Sequence, residues 1–406
     1  MTGRELLFTL ILVTFVVGQH FQVGVLFGYA ANLGLLCGLV VWVSCLNKSS
    51  QLWNAPTILL PPAIALMAAL ISPINYSQIE FLKTFALLSL ACLIMSTARS
   101  PIKTEFIAGR SAKLALLISL FCVSTLSVLQ VIGGTLGSDA FFNPWGSRQF
   151  LREYDPLMQF STVPRAHGFF LEPSYNAFIL VTTTLTLLAL KHRPVAVTLL
   201  FFAGIIATQS ASGLLLGGVI VLAALRRSRP GALVGTLGLS VAGAWLVGPY
   251  LLERLQSANQ LGSSTNYRIV APLEVLRDTL LAAPLGYPLG STEQVLSSYN
   301  LLLGSQQGTS LDNGAYVLTY YFGWFGLVGL LLAAMFAMAR TISDRTSSPA
   351  VSAVPVIVVG SLLFSGAVLS PEYVIMIWLL IQAYRHHQSL ATSPEVEAES
   401  SHAAAS

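Results

Sequence analysis

Residues 113–135 read KLALLISLFCVSTLSVLQVIGGT, and no charged side chain follows Lys113 within the run. A helix rises about 1.5 Å per residue, so a run of this length crosses the roughly 30 Å hydrocarbon core of a bilayer without placing a charge inside it. The rest of the chain repeats the pattern. Of 406 residues, 54% are apolar and 9% charged, against roughly 25% charged in an ordinary soluble domain. The composition predicts an all-α, polytopic integral membrane protein. Further apolar runs near 6–17, 26–46, 56–72, 82–97, 173–190, 195–209, 211–225, 231–251, 314–339, 352–369 and 372–384 bring the expected transmembrane helices to about twelve. The run 6–17 lacks a small-residue cleavage site at the right distance, so it reads as an uncleaved first span. The two runs meeting at 208–213 are short and read as a tight hairpin or a broken helix.

Basic residues collect on the cytoplasmic side of short loops. With the amino terminus inside, fourteen of the 21 Lys and Arg residues, from Arg4 to Arg385, fall in cytoplasmic segments, whereas the loops 73–80 and 208–212 carry none. Both termini are therefore expected in the cytoplasm. One membrane domain, 1–385, would be followed by a disordered cytoplasmic tail, 386–406, which has no apolar period. Two larger outside loops, 136–172 and 252–313, hold Arg148, Arg152, Arg165, Arg254, Arg268 and Arg277. Long loops are translocated largely regardless of charge, so these arginines are not topology signals.

The net charge of +4 lies in scattered loop residues with no basic tract, which excludes a nucleic-acid partner. Cys37, Cys45, Cys92 and Cys122 lie in or beside apolar runs without metal-type spacing and read as packing thiols. Gly213 with Gly217, and Gly323 with Gly326 and Gly329, predict close helix contacts. Trp324, Tyr320 and Tyr321 suit an aromatic belt at the membrane interface or a sugar platform.

Charge is concentrated in RAHGFFLEPSYN, residues 165–176, where Arg165, His167 and Glu172 lie at the lip of an apolar run. Ionisable groups near membrane depth are usually paired or functional. Arginine binds phosphate oxygens through a planar fork and keeps its charge in a partly dry site, so Arg165 and Arg268, helped by Arg277, suit an anionic lipid head group such as a diphosphate. They would also stabilise charge growing on that group as it leaves. An acceptor hydroxyl needs a base, and Glu172, Asp312, Glu372 and His167 are candidates. Each carboxylate also precedes or opens a helix, where it could simply act as a cap, and both readings stay open. Tyr267, beside Arg268, suits stacking against a sugar.

Four segments in order resemble the Wzy-type polysaccharide polymerases, most closely the colanic acid polymerase branch: 165–176, NYRIVAPL at 266–273, DNGAY at 312–316 with YFGWF at 321–325, and SPEY at 370–373. The likeness covers roughly 165–385; the first five spans match only in being apolar. The resemblance implies a bacterial inner-membrane glycosyltransferase with its active site facing the periplasm. It would join undecaprenyl-diphosphate-linked oligosaccharide repeat units into an exopolysaccharide or O-antigen chain, without metal or other cofactor. A flippase and a chain-length regulator of the same pathway would be partners, besides the lipid bilayer. Site residues on this reading are Asp312, Glu172, Arg165 and Arg268 for catalysis, and Arg277, His167, Tyr267, Asn313, Tyr316 and Glu372 for substrate. The fixed arginine-to-glycine spacing usual in such loops is not reproduced: Gly168 follows Arg165 too closely and Gly286 lies well beyond Arg268. An O-antigen ligase is the nearest alternative, but ligases typically use a histidine in the second large loop, and none occurs between His192 and His386. A lipid-linked oligosaccharide transporter or flippase is the alternative of another class. Transporters place binding groups near the midplane, often between repeated halves.

Overall fold

In the computed structural model of the chain, the described residues are 2–26, 29–46, 55–100, 103–137, 165–225, 252, 256–263, 265–303, 306–308, 310–344, 347–362 and 366–391. The chain is helical. Gln78–Ser96, Arg110–Thr135 and Gly314–Ser343 are each long and apolar enough to cross a membrane, and Leu33–Cys45, Ile58–Ile71, Pro194–Thr208 and Ala211–Ile220 are shorter apolar helices. Leu331, Leu332, Met335, Phe336 and Ile342 of the Gly314–Ser343 helix stay exposed, an arrangement that hydrocarbon completes. The expected span 231–251, the loop arginines Arg148, Arg152 and Arg254, and the residues after Ala391 lie outside the described residues.

The core is built on two helices that both open with proline, Pro173–Ala189 and Pro371–Ala391. Proline lacks the N–H that the first turn of a helix leaves unpaired, and its fixed φ suits that position. Pro173–Ala189 packs against Arg110–Thr135, Pro194–Thr208, Ala211–Leu225 and Pro371–Ala391. Phe178 stacks on Tyr373 with centroids 4.6 Å apart, and Trp378 is fully buried. Nearly every residue of Pro173–Ala189 is buried, as befits a helix enclosed by its neighbours.

Five expectations are revised. The run 26–46 is not a single helix: Gln22–Leu26 pairs antiparallel with Tyr29–Asn32, and only Leu33–Cys45 is helical. Asn32 starts that helix by accepting the Leu35 N–H at 2.6 Å. The run 352–369 divides into Pro349–Ser352 and Val354–Leu362. The last helix continues past Arg385 to Ala391, because Arg385 Nη1 donates to Ala98 O at 2.6 Å and His387 Nδ1 meets Ala189 O at 2.9 Å. The glycine pairs also behave differently. A Cβ on Gly213 would come within 2.4 Å of the Ala177 Cβ, a true helix contact, whereas Gly329 has nothing within 4 Å. Gly323 breaks its helix, with φ 53° and ψ −131°. Pro284 O enters the gap and accepts the Trp324 N–H at 3.0 Å, while Tyr287 N donates to Tyr320 O at 2.8 Å. Tyr320 and Tyr321 are consequently buried and only Trp324 is exposed, so the three do not form one belt.

The pair at 208–213 is a tight connection between Pro194–Thr208 and Ala211–Leu225, with Gln209 left-handed. All four cysteines are free thiols.

Candidate active site

Glu172 precedes Pro173, and a residue before proline is pushed to extended backbone; its φ of −135° and ψ of 142° conform. It occupies the N-cap position of Pro173–Ala189 but its side chain makes no capping bond. The carboxylate turns to Arg268 instead, accepting from Nη2 at 2.6 Å, and also accepts from Ser174 Oγ at 2.8 Å. Of the roles left open in the sequence, the cap is not made by this side chain; it forms an ion pair with Arg268.

Arg268 sits in a π-helical turn, Asn266–Val270, closed by the Ala271 N–H donating to Asn266 O at 2.9 Å and followed by the Pro272–Ala282 helix. Such turns are rare and frequent at functional sites. The guanidinium meets a second acid: Nη2 is 3.4 Å from Asp312 Oδ2, and Nη1 is 3.4 Å from Ser174 Oγ. Asp312 lies just before the Gly314–Ser343 helix, but its neighbour Asn313 is the cap, accepting from the Ala315 N–H at 3.0 Å. That leaves Asp312 for Arg268 and for Ser310 Oγ, which donates to Oδ1 at 3.3 Å. Tyr267 donates to Ser310 O at 2.5 Å, bracing the Asp312 loop from the arginine side.

One cation thus faces two acids, and their protonation separates. Arg268 holds Glu172 below the ordinary carboxylate range, outweighing burial, with Ser174 and His20 acting in the same direction. Burial pushes Asp312 above that range; the Glu172 charge adds to the rise and Arg268 opposes it. Burial disfavours the Arg268 charge as well, but Glu172 and Asp312 together more than offset this and its pKa rises. Two carboxyl groups pushed in opposite directions are an arrangement able to divide acid–base roles between them. The side chains of Arg268, Glu172 and Asp312 keep 27%, 43% and 25% of their surface accessible, so the cluster can be reached.

The other candidates take different places. Arg165 is half-buried at the start of the segment leading to Glu172, and its neighbour Ala166 donates to Ala207 O at 3.1 Å. His167 is buried with both ring nitrogens engaged, Nδ1 2.8 Å from Phe170 O and Nε2 3.4 Å from Gln130 Nε2. Gly168, at φ +62°, turns the chain there and donates to Gln130 Oε1 at 2.8 Å. Glu372 is buried and accepts from Asn32 Nδ2. Tyr316 donates to Ile269 O at 2.9 Å and pins the turn after Arg268. Arg277 is exposed and pairs with the adjacent Asp278 at 3.0 Å. Among the described residues, no three His, Cys, Asp or Glu side chains come together to hold a metal ion.

Several supporting residues escaped the sequence reading. His20 Nδ1 accepts the Leu171 N–H at 2.8 Å, next to Glu172, and Gln19 Oε1 accepts from Tyr175 OH at 2.6 Å. Gln130 and Asn32 do comparable work. The available signal was polarity out of place: a Gln-His pair ending the first apolar run and a lone glutamine inside 113–135.

The profile of the WcaD colanic acid polymerase family matches residues 7–386. The chain belongs to this family. A protein of Escherichia coli (strain K12) named "Putative colanic acid polymerase" is 28% identical over 230 residues, 52% of this chain and 55% of that protein. The matched region thus spans about half the length of that relative. Family membership begins at the first helix and not at Arg165, which agrees with the reach of His20, Gln19 and Asn32 to the segments around Glu172 and Glu372.

Proposed function

We propose that this protein is an inner-membrane polymerase that moves a growing glycan from its undecaprenyl diphosphate carrier onto the next lipid-linked repeat unit. The reaction takes place at the periplasmic ends of about twelve spans, with both termini in the cytoplasm. Family membership supports the reaction class. The observation that carries the mechanism is Arg268 held between an anchored Glu172 and a more distant Asp312.

In this reading Asp312 is the base. Its raised pKa brings it nearer the operating pH, where a general base works best. The acceptor hydroxyl gives its proton to Asp312, and its oxygen attacks the anomeric carbon of the donor sugar. The bond from that carbon to the diphosphate oxygen breaks, and lipid diphosphate leaves with the electron pair. Proton transfer also frees the cation. An ionised Asp312 competes for Arg268; once protonated, it releases guanidinium charge to the leaving diphosphate as negative charge grows there. Glu172 and Ser174 hold the guanidinium in place, and Arg165 supplies a second cation. Charge stabilisation is thereby assigned to arginine. Direct displacement on one face inverts the anomeric centre. A flippase of the same pathway supplies the substrate, and a regulator sets chain length.

The test is polymerisation by purified protein in nanodiscs given a lipid-diphosphate-linked repeat unit, for wild type, Arg165→Ala and Arg268→Ala at matched folding. A product ladder that is lost in both variants is expected. A single transfer to a lipid A core would replace this reading with a ligase, and labelled substrate crossing a sealed membrane without any ladder would replace it with a transporter.

A further inference from the structure

Beside the Asp312 loop lies a cavity of about 190 Å³. At the roughly 30 Å³ that a water occupies in the liquid it holds about six, a volume on the scale of one sugar ring. Four segments build its wall: Thr292, the pair Ser310 and Leu311, the first turns of the Gly314–Ser343 helix through Tyr320 and Tyr321, and the turn ending at Ser370. The wall is fixed before any ligand arrives. Tyr320 OH is 2.8 Å from Ser291 Oγ, Tyr321 is hydrogen-bonded to Thr292, and the break at Gly323 locks both tyrosines against the 284–287 turn.

The cavity and the charged cluster share a residue. Ser310 lines the cavity and donates to Asp312 Oδ1, so a ligand there lies next to that carboxylate. The two sites differ in chemistry. Among the described residues lining the cavity none is charged: hydroxyl groups alternate with apolar and aromatic surface. A diphosphate has no counter-charge there, and burying a carboxylate among these groups would be unfavourable. A neutral pyranose offers hydroxyl groups to the serines and threonine and C–H faces to the rest.

We propose that this cavity receives the terminal sugar of the acceptor, that this sugar is uncharged, and that its reacting hydroxyl points to Asp312. The assignment of the sugar to an acceptor rests on the polymerase reading above; binding of a neutral sugar does not.

The experiment is saturation-transfer NMR on the full chain in nanodiscs, with methyl glucoside and methyl galactoside as probes against the corresponding uronic acids. Wild type should transfer saturation to the neutral glycosides and not to the uronic acids. Ala367→Phe, which fills the cavity, should lose that transfer while still binding lipid diphosphate; Val317→Phe, from another wall, repeats the test if the first variant misfolds. Absence of transfer to every neutral glycoside, equal transfer to the uronic acids, or transfer undiminished in the filled variants overturns the proposal. Elongation separates it from the polymerase reading. Sugar binding without a ladder retains the cavity and removes the polymerase, whereas a ladder unaffected by filling the cavity does the reverse.

Discussion

The Pro371–Ala391 helix has a polar cluster near each end, and the two handle a carboxylate differently. Near its start, Asp312 and Glu172 share one guanidinium at unequal distances, 3.4 and 2.6 Å. Near its end, Asp344 is buried and each oxygen has a neutral donor: Oδ1 accepts the Ser347 N–H at 3.0 Å, and Oδ2 accepts Tyr384 OH at 2.8 Å and Gln388 Nε2 at 3.4 Å. Gln388 in turn takes Arg340 Nη2 at 3.0 Å. A closed network of this kind fixes helices in place. An accessible one, in which two acids compete for one cation, can change its protonation and its partners. Polarity alone does not mark a site; unequal satisfaction combined with access does.

If that distinction holds, Asp312→Asn has the largest effect on turnover. Loss of a positioned base typically lowers rate by roughly 10²–10⁴-fold, and the expected result is a collapse of elongation rate with an unchanged thermal unfolding midpoint, read by ladder kinetics and scanning calorimetry. Retained elongation would remove Asp312 from the chemistry. Arg268→Gln comes next. It deprives the leaving group of a preorganised donor, for which losses of about 10²–10³-fold are typical, and it leaves two acids facing each other, so stability should fall too. The smaller third effect belongs to the other cluster. Asp344→Ala takes the acceptor from the Tyr384 O–H and the Ser347 N–H, whereas Gln388 keeps Tyr384 OH at 2.8 Å; unsatisfied buried groups cost about 1–3 kcal/mol each. The unfolding midpoint should drop while elongation per folded molecule stays at the wild-type rate. A rate loss as large as that of Asp312→Asn would erase the contrast between the clusters.

Much of the first cluster is legible in the sequence, because charge in so apolar a chain stands out: Arg268, Glu172 and Asp312 are all marked as candidates by composition and position alone. What could not be read was pairing. Glu172 and Asn313 both precede helices, yet only Asn313 caps with its side chain; that choice depends on Arg268 arriving from 96 residues away. Arg277, read as a helper of Arg268, lies in a regular helix beside Asp278 and is exposed. The span 26–46 failed for a related reason. Apolar content does not distinguish helix from hairpin, and Asn32 starts the helix midway. His167 reads as a candidate base, but its ring nitrogens meet Phe170 O and the side chain of Gln130, a residue hidden in an apolar run.

The subtlest separation of the two clusters is by pH. Burial raises Asp312 above the ordinary carboxylate range, and the Glu172 charge raises it further. A base must be ionised to act, so the acid limb of the elongation rate should lie above that range. Glu172 is held low by Arg268 and stays ionised throughout this limb, so it contributes a constant negative charge and no titration of its own. Glu172→Gln removes that charge; protonated Asp312 is then less favoured, its pKa falls, and the acid limb moves to lower pH. Arg268→Gln takes away the charge that opposes the rise, so the limb of its residual activity moves to higher pH. These opposite displacements, measured as pH profiles of elongation in the two variants, follow only if the titrating group feels the charges of both Glu172 and Arg268. A limb that stays in place in both would move the base elsewhere, and Asp344→Ala, distant from the base, should leave the limb unchanged.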